Sequence, residues 1–288
     1  MTVTDGGTVF ITGGAQGIGL GMARAFAGAG MRVALADTAA EPLAAAAREL
    51  SATTRVETFD LDVRDRDAFA RAVDLAEERL GPITVLCNNA GLTRGVPPSQ
   101  MDYGVWDHVT DVNLGGTVNG IQTVLPRMIA RGGPGRIVNT SSGAGLAPNN
   151  DYVYTMTKFA VVGLSEALAQ QRELTENGIG VTVVCPGVVR TGIVLNSAAV
   201  AMGGATMRDD DRLRAAAALF DRHGLSPDIV GAQVLDAVRN DRLYVHTDRI
   251  MVERVRQRTD AILAAMPPET ERDREYPALI AAAQRQLR

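Results

Sequence analysis

Lysine is almost missing from this chain: of its 29 lysine and arginine residues, only Lys158 is lysine. Other scarcities exclude whole classes of function. Cys87 and Cys185 are the only cysteines, and each closes an apolar run (ITVLC, VTVVC). Two thiols build no disulfide framework, and both are expected to be buried and reduced. Neither has a metal-ligand neighbour at CxxC spacing, and His108, His223 and His246 are isolated, so no metal site is expected. No run approaches the roughly 20 apolar residues that a membrane helix needs. The opening MTVTDGGTVFITGG lacks a basic region leading into a long apolar one, so no signal peptide is expected and the location should be cytoplasmic. Positive charge is not in excess either. A net charge of −4 argues against nucleic acid or an anionic membrane surface as partner.

What is present points to an enzyme-sized α/β chain. At 288 residues, 46% hydrophobic and 22% charged, it fits one large domain with a substantial core. Apolar β runs at Thr8–Thr12, Met31–Ala36, Arg55–Leu61, Ile83–Cys87, Arg136–Thr140 and Gly180–Cys185 alternate with helical patterns. Those helical patterns cover Ala39–Leu50, Arg66–Leu80, Tyr103–Arg131 (split at Gly115–Gly116) and Val153–Asn177. Such alternation implies βαβ crossovers, and the continuous rather than alternating apolar runs imply strands covered on both faces. The expected fold is a single-domain, Rossmann-like, doubly wound parallel sheet with helices on both faces. Ser226-Pro227 reads as a helix start, leading through Asn240 to a short strand at Leu243–Thr247. Residues 192–225 read as a helical substrate lid. Residues 248–288 read as a charged helical extension interrupted at Pro267-Pro268, either solvated or docked on a second subunit.

The stretch that carries chemistry is Ser142 to Lys158, SGAGLAPNNDYVYTMTK. Tyr154 and Lys158 lie four apart, so on a helix they share a face with Cβ atoms about 5–6 Å apart. A free phenol titrates near 10. An ammonium about 5 Å away, at an effective dielectric of about 20, favours the phenolate by about 3 kcal/mol, or roughly two pK units. That shift is expected to bring Tyr154 towards proton exchange with an alcohol or ketone. Keeping the one lysine here, as a compact point charge rather than a planar fork, fits that use.

A second motif lies between the first strand and the first helix: Thr12-Gly13-Gly14-Ala15-Gln16-Gly17-Ile18-Gly19. Glycines there allow a tight turn, close backbone approach to a pyrophosphate and use of the helix N-terminus. Asp37 closes the second strand, where a carboxylate accepts from the adenine ribose hydroxyls and repels a 2′-phosphate. Gln16 brings no compensating positive charge, so NAD rather than NADP is the expected cofactor.

The glycine spacing is not GxGxxG. It resembles the TGxxxGxG of the short-chain dehydrogenase/reductase family, and six ordered motifs extend that resemblance to about Thr247. Asp62-Val63 resembles the family's adenine contact, and Asn88-Asn89-Ala90-Gly91 resembles the NNAG that lies against the cofactor. Asn113 in VNLGG resembles the asparagine whose helix distortion holds a relay water. Ser142 resembles the second serine of NxSS, with Ser141 a rival because Ser142 and Tyr154 stand 12 apart. Tyr154 and Lys158 match YxxxK, and Tyr152 would lie on a different helical face. Pro186-Gly187 with Thr191, spanning Val189, resembles the PGxxxT that clasps the nicotinamide carboxamide.

The resemblance implies hydride transfer on CH–OH groups by an NAD-dependent oxidoreductase, with Tyr154 as acid/base and Ser142 on the substrate oxygen. Lys158 would hold the nicotinamide ribose, and Asn113 would position a water. It also implies a homodimer or homotetramer built from the helices carrying Asn113 and Tyr154. Substrate contacts are expected from loops at the carboxyl edge of the sheet, through Thr93, Ala144, Asn149 and Leu195. The lid residues Ile193, Val194, Leu195, Val200, Met202 and Met207 suggest an apolar or aromatic secondary alcohol or ketone; equally, they pack the lid down. Two other classes stay open. A non-catalytic dinucleotide-sensing module should have lost the Tyr/Lys pair, and an epimerase or dehydratase relative usually carries TGxxGxxG.

Overall fold

The apolar runs fold into the centre of a single sheet because most of their residues have nowhere polar to face. In a computed structural model, which describes residues 3–201 and 211–286, the strands are β1 (Thr8–Thr12), β2 (Arg32–Asp37), β3 (Val56–Asp60), β4 (Ile83–Asn88), β5 (Gly135–Thr140), β6 (Ile179–Cys185) and β7 (Tyr244–His246). They pair in parallel in the order β3-β2-β1-β4-β5-β6-β7. β1 and β5 are buried at every position. The strand order reverses between β1 and β4, so a crevice opens at their carboxyl ends, where open α/β sheets place ligands.

Two apolar layers sandwich the sheet. Val9 and Ile11 of β1 point to the layer holding Met22, Phe26, Val230 and Val234. Phe10 points the other way, to Phe59, Phe69, Leu86 and Met128, as the period of two along a strand requires. The first layer is roofed by α1 (Gly17–Gly28) and α2 (Ala40–Leu50) and the second by α3 (Arg66–Leu80) and α5 (Gly116–Arg131), while α4 (Tyr103–Thr110) packs in a smaller apolar cluster with Leu92 and Val153. Carboxylates open several helices: Asp65 accepts from Ala68 N–H at α3, and Asp102 from Val105 N–H at α4.

One helix is interrupted beside the split expected at Gly115–Gly116, and another breaks where no break was expected. The 103–131 segment opens into a π-helical turn at Asp111–Gly115 between α4 and α5. The helix expected over Val153–Asn177 is two, α6 (Tyr152–Ala169) and α7 (Arg172–Glu176). Gln171 turns extended there while its side-chain amide donates to Ala167 O at 3.0 Å, so the chain leaves the helical path. Beyond β6 come α8 (Ile193–Ala201), α9 (Asp211–His223) and α10 (Pro227–Arg239), the last opened by Ser226 Oγ accepting from Asp228 N–H. Met202 and Met207 of the expected lid lining lie outside the described residues, as does the side chain of Val200.

The chain divides into two compact units, Met1–Met251 and Val252–Arg288. The second comprises α11 (Val252–Ala264) and α12 (Glu271–Gln286), with the Pro267-Pro268 interruption between them. None of the residues of α11 is buried. Among the described residues, no helix is long and apolar enough to cross a membrane.

Candidate active site

The turn from β1 into α1 is shaped by what its glycines lack. Gly13 and Gly17 hold φ of +62° and +55°, the left-handed region that side chains resist. At Gly19 a Cβ would stand 2.0 Å from Gly13 O, so only hydrogen fits there. Gln16 precedes α1 without a side-chain cap, which leaves the first amides of the helix, from Gly17 and Ile18 onward, to a ligand or solvent. Asp37 faces the same turn: its Oδ2 accepts from Ala15 N–H at 3.1 Å and its Oδ1 from Ala39 N–H at 3.0 Å. A cradle with no Cβ, open helical amides and a fixed carboxylate fits a dinucleotide.

The end of β4 is fastened to that turn. Thr12 Oγ1 accepts from the N–H groups of Asn89 and Ala90 at 2.9 and 3.1 Å. Asn89 Nδ2 in turn donates to Thr12 O and Gly13 O at 3.1 and 3.2 Å. Val63 packs where Gly116 has no Cβ, and its carbonyl accepts from Asn119 Nδ2 at 2.8 Å. The Asp62 carboxylate is bracketed by Arg64, whose side chain and backbone N–H both donate to it, holding its pKa below the usual carboxylate range. Pro186 O accepts from Gly143 N–H at 2.8 Å, and Gly187 N–H donates to Thr247 Oγ1 at 2.9 Å. Val189 is buried, and Thr191 touches Gly17.

Across the crevice, Asp151 opens α6 by accepting from Tyr154 N–H, one helical turn before Lys158. Lys158 Nζ sits 5.4 Å from the centroid of the Tyr154 ring and donates to Thr140 O at 3.0 Å. The Ser142 hydroxyl lies close enough to the Tyr154 phenol to pull its pKa down. Ser141 is occupied elsewhere, donating to Lys158 O at 2.8 Å, so Ser142 is the serine beside the phenol. Tyr152 packs edge-on against Trp106, in a separate apolar cluster. Asn113 is buried within the π-helical turn. Its Oδ1 accepts from Leu92 N–H at 2.9 Å, and its Nδ2 donates to Leu92 O and Thr157 Oγ1 at 2.9 and 3.1 Å. Gly91 brings no side chain beside them: a Cβ there would lie 3.3 Å from Asn113 Oδ1 and 3.4 Å from Lys158 Nζ.

The electrostatics correct one expectation. Tyr154 is raised above the ordinary phenol value, not lowered; desolvation is the main cause, opposed by the Ser142 hydroxyl and reinforced by the Asp151 carboxylate. Part of the Tyr154 surface reaches solvent, yet its hydroxyl end is enclosed enough for burial to decide the sign. Lys158 is only 3% exposed, and burial pulls its pKa down to about 8. Burying both partners of a pair carries a desolvation cost that can outweigh their attraction.

Of the expected substrate residues, Thr93 bonds to Asp151 and to Ser197, and Ala144 is buried with its N–H on Ser142 Oγ at 3.1 Å. Asn149 spends its carbonyl oxygen on Asp151 N–H and the Thr155 hydroxyl. Leu195 lines a cavity of about 430 Å³ with Gly17, Arg190, Thr191 and Asp221, on the glycine-turn side. Thr140, Thr157 and Asp151 also serve the site and were not among the expected residues. An Asp three residues before a helical amide is a capping signal that was available for the last of these.

Comparison with known proteins agrees with this geometry. The profile of the family described as short chain dehydrogenase matches residues 7–200. A C alpha-dehydrogenase of Sphingobium sp. (strain NBRC 103272 / SYK-6) is 33% identical over 268 residues, covering 90% of this chain and 86% of that protein. Among solved structures, a short chain dehydrogenase/reductase from Burkholderia phymatum in complex with NAD superposes with a TM-score of 0.84 at 28% identity, over 94% of this chain and 99% of that one. The apo form of LigO from Sphingobium sp. strain SYK-6 superposes with a TM-score of 0.79 at 33% identity, over 99% of this chain and 98% of the other.

Proposed function

The chain belongs to the short chain dehydrogenase family of oxidoreductases, and on that premise we propose that it interconverts a secondary alcohol and a ketone with NAD as cofactor. The observation that carries this is the convergence of three side chains: Lys158 Nζ stands 5.4 Å from the Tyr154 ring, with the Ser142 hydroxyl beside the phenol. When bound, a nicotinamide dinucleotide supplies the acceptor for the hydride that leaves the carbinol carbon. The residues handle the proton. Ser142 bonds the substrate oxygen; the neutral Tyr154 phenol gives its proton to the ketone oxygen in reduction, and once ionised takes the hydroxyl proton as the carbonyl forms in oxidation. Lys158 holds positive charge beside the phenolate and would hold the ribose, which Gly91 leaves room to approach. Asn113 keeps the π-helical turn fixed against Leu92 and Thr157, which supports a water-linked path from Lys158 to solvent.

For the cofactor, Gly13, Gln16, Gly17, Ile18, Gly19, Asp62, Val63, Asn89, Ala90, Gly91, Pro186, Gly187, Val189 and Thr191 would form the cradle. Asp37 favours NAD because its carboxylate is held at the turn by two backbone amides, where a 2′-phosphate would meet like charge. The substrate would be an apolar or aromatic secondary alcohol lying near Thr93, Ala144, Asn149 and Leu195. The name of the C alpha-dehydrogenase relative supports a carbinol substrate. Exposed Val118 on α5 and Met156 on α6 support assembly as a homodimer or homotetramer through those helices.

Replacing Tyr154 with Phe tests the assignment. NADH binding should stay near wild type while oxidation across a panel of secondary alcohols falls by orders of magnitude. An active Tyr154→Phe protein would refute the acid/base role, and a tenfold preference for NADP would refute the reading of Asp37.

A further inference from the structure

A line of hydrogen bonds connects the lid helix to the backbone of Tyr154. The buried Ser197 hydroxyl on α8 accepts from Thr93 N–H at 3.0 Å. The Thr93 hydroxyl donates to Asp151 Oδ2 at 2.7 Å, and Arg94 N–H adds a second bond to that oxygen at 3.1 Å. The other oxygen, Asp151 Oδ1, accepts from Tyr154 N–H at 3.0 Å. Capping a helix needs one acceptor, and Asn or Ser would supply it as well as Asp. The second carboxylate oxygen is therefore what calls for explanation. It faces away from the helix and takes two donors from the loop after β4, and bonds to an ionised acceptor are roughly twice as strong as neutral ones.

We propose that Asp151 is a positioning residue: through Thr93 it ties the lid helix to the entrance of α6, so that seating Ser197 on the loop fixes the backbone of Tyr154. Thr93 is the hub, its amide serving the lid and its hydroxyl serving the catalytic helix. This inference rests on the alcohol dehydrogenase reading for its meaning in catalysis, but its physical content is a coupling between two segments.

Hydrogen exchange on the whole protein reads that coupling without any substrate. In Thr93→Val, which keeps the amide and loses the hydroxyl, amide exchange should rise about tenfold both at 152–155 and across 193–197, because local opening becomes easier. Thr93→Ser should restore protection at both segments, and Ser197→Ala should loosen both. Loosening of the 92–94 loop alone in Thr93→Val would overturn the proposal.

Kinetics supply a second arm, with 1-phenylethanol as probe. Thr93→Val and Asp151→Asn, the latter keeping a capping oxygen, should each lower kcat/KM for the alcohol about tenfold while KM for NAD stays put. Together they should lower it about tenfold as well, since members of one network are non-additive. Losses that multiply to about a hundredfold would mean independent roles and would overturn the coupling. A wild-type protein that oxidises no secondary alcohol defeats the functional reading only, and the exchange result then decides the latch.

Discussion

The two walls of the crevice are made of different materials. The wall formed by the ends of β1 and β4 is polar and addressed almost wholly through backbone: Thr12 Oγ1 takes two amides, Asn89 Nδ2 two carbonyls, and Asp37 two more amides. The lid wall presents side chains of low chemical identity, with Leu195 47% exposed and Ile193 and Val194 half-buried. Backbone-directed bonding leaves little freedom in residue type, because a turn with φ near +60° or a missing Cβ admits few alternatives. An apolar lining admits many. The first wall specifies a dinucleotide; the second specifies little more than a surface that avoids water.

The largest way to break this contrast is to remove the buried charge that α6 brings into the crevice. Burial lowers Lys158 from 10.5 to about 8, so between those values the unfolded chain binds more protons than the folded one. Stability from this group therefore rises with pH through that window, and at pH 7 its full cost is present. Lys158→Met removes the cost, a few kcal/mol at most, and also removes the bond to Thr140 O. Thermal unfolding should show the variant at or above wild type at pH 7, with the gap closing as pH approaches 10. Alcohol oxidation should fall by orders of magnitude. A gap that widens with pH would mean that Lys158 is not buried as a strained cation.

A smaller effect sharpens the backbone side. In Gly19→Ala the new methyl would stand 2.0 Å from Gly13 O and 2.8 Å from Asn89 Nδ2, and both belong to the packed turn. Overpacking of this kind costs about 1–3 kcal/mol, so NADH affinity by fluorescence titration should weaken about tenfold to hundredfold. A variant that binds NADH as well as wild type would show that the turn yields more readily than its contacts suggest.

The same contrast explains what could be read from the chain before folding it. The parallel sheet covered on both faces and the tight turn from β1 into α1 follow from continuous apolar runs and from glycines at fixed offsets, whereas the strand order does not. The break at Gln170-Gln171 was not readable, because glutamine is a sound helix former and only its side-chain bond to Ala167 O marks the exit. The direction of the Tyr154 shift was not readable either. Spacing reports that a cation is near, but burial is a property of the assembled core, and it outweighs the pair. Asp151 carries a capping signal that one residue pattern could reveal, whereas its second oxygen finds Thr93 only in three dimensions.

The smallest predicted effect tests the less specified wall. Leu195 is exposed, so Leu195→Ala should move stability by less than about 0.5 kcal/mol. If the lid selects bulky apolar alcohols, the variant should lose about threefold to tenfold in kcat/KM for 1-phenylethanol relative to 2-propanol, because a few methylenes in an apolar pocket are worth about 1–3 kcal/mol. Leu195 shares its cavity with Gly17 and Thr191, however, so the assay must also follow KM for NAD. A rise in that constant with an unchanged alcohol ratio would assign the cavity to the dinucleotide. Substrate choice would then rest on Thr93, Ala144 and the rest of the lid, and the polar wall would extend further around the crevice than its hydrogen bonds alone indicate.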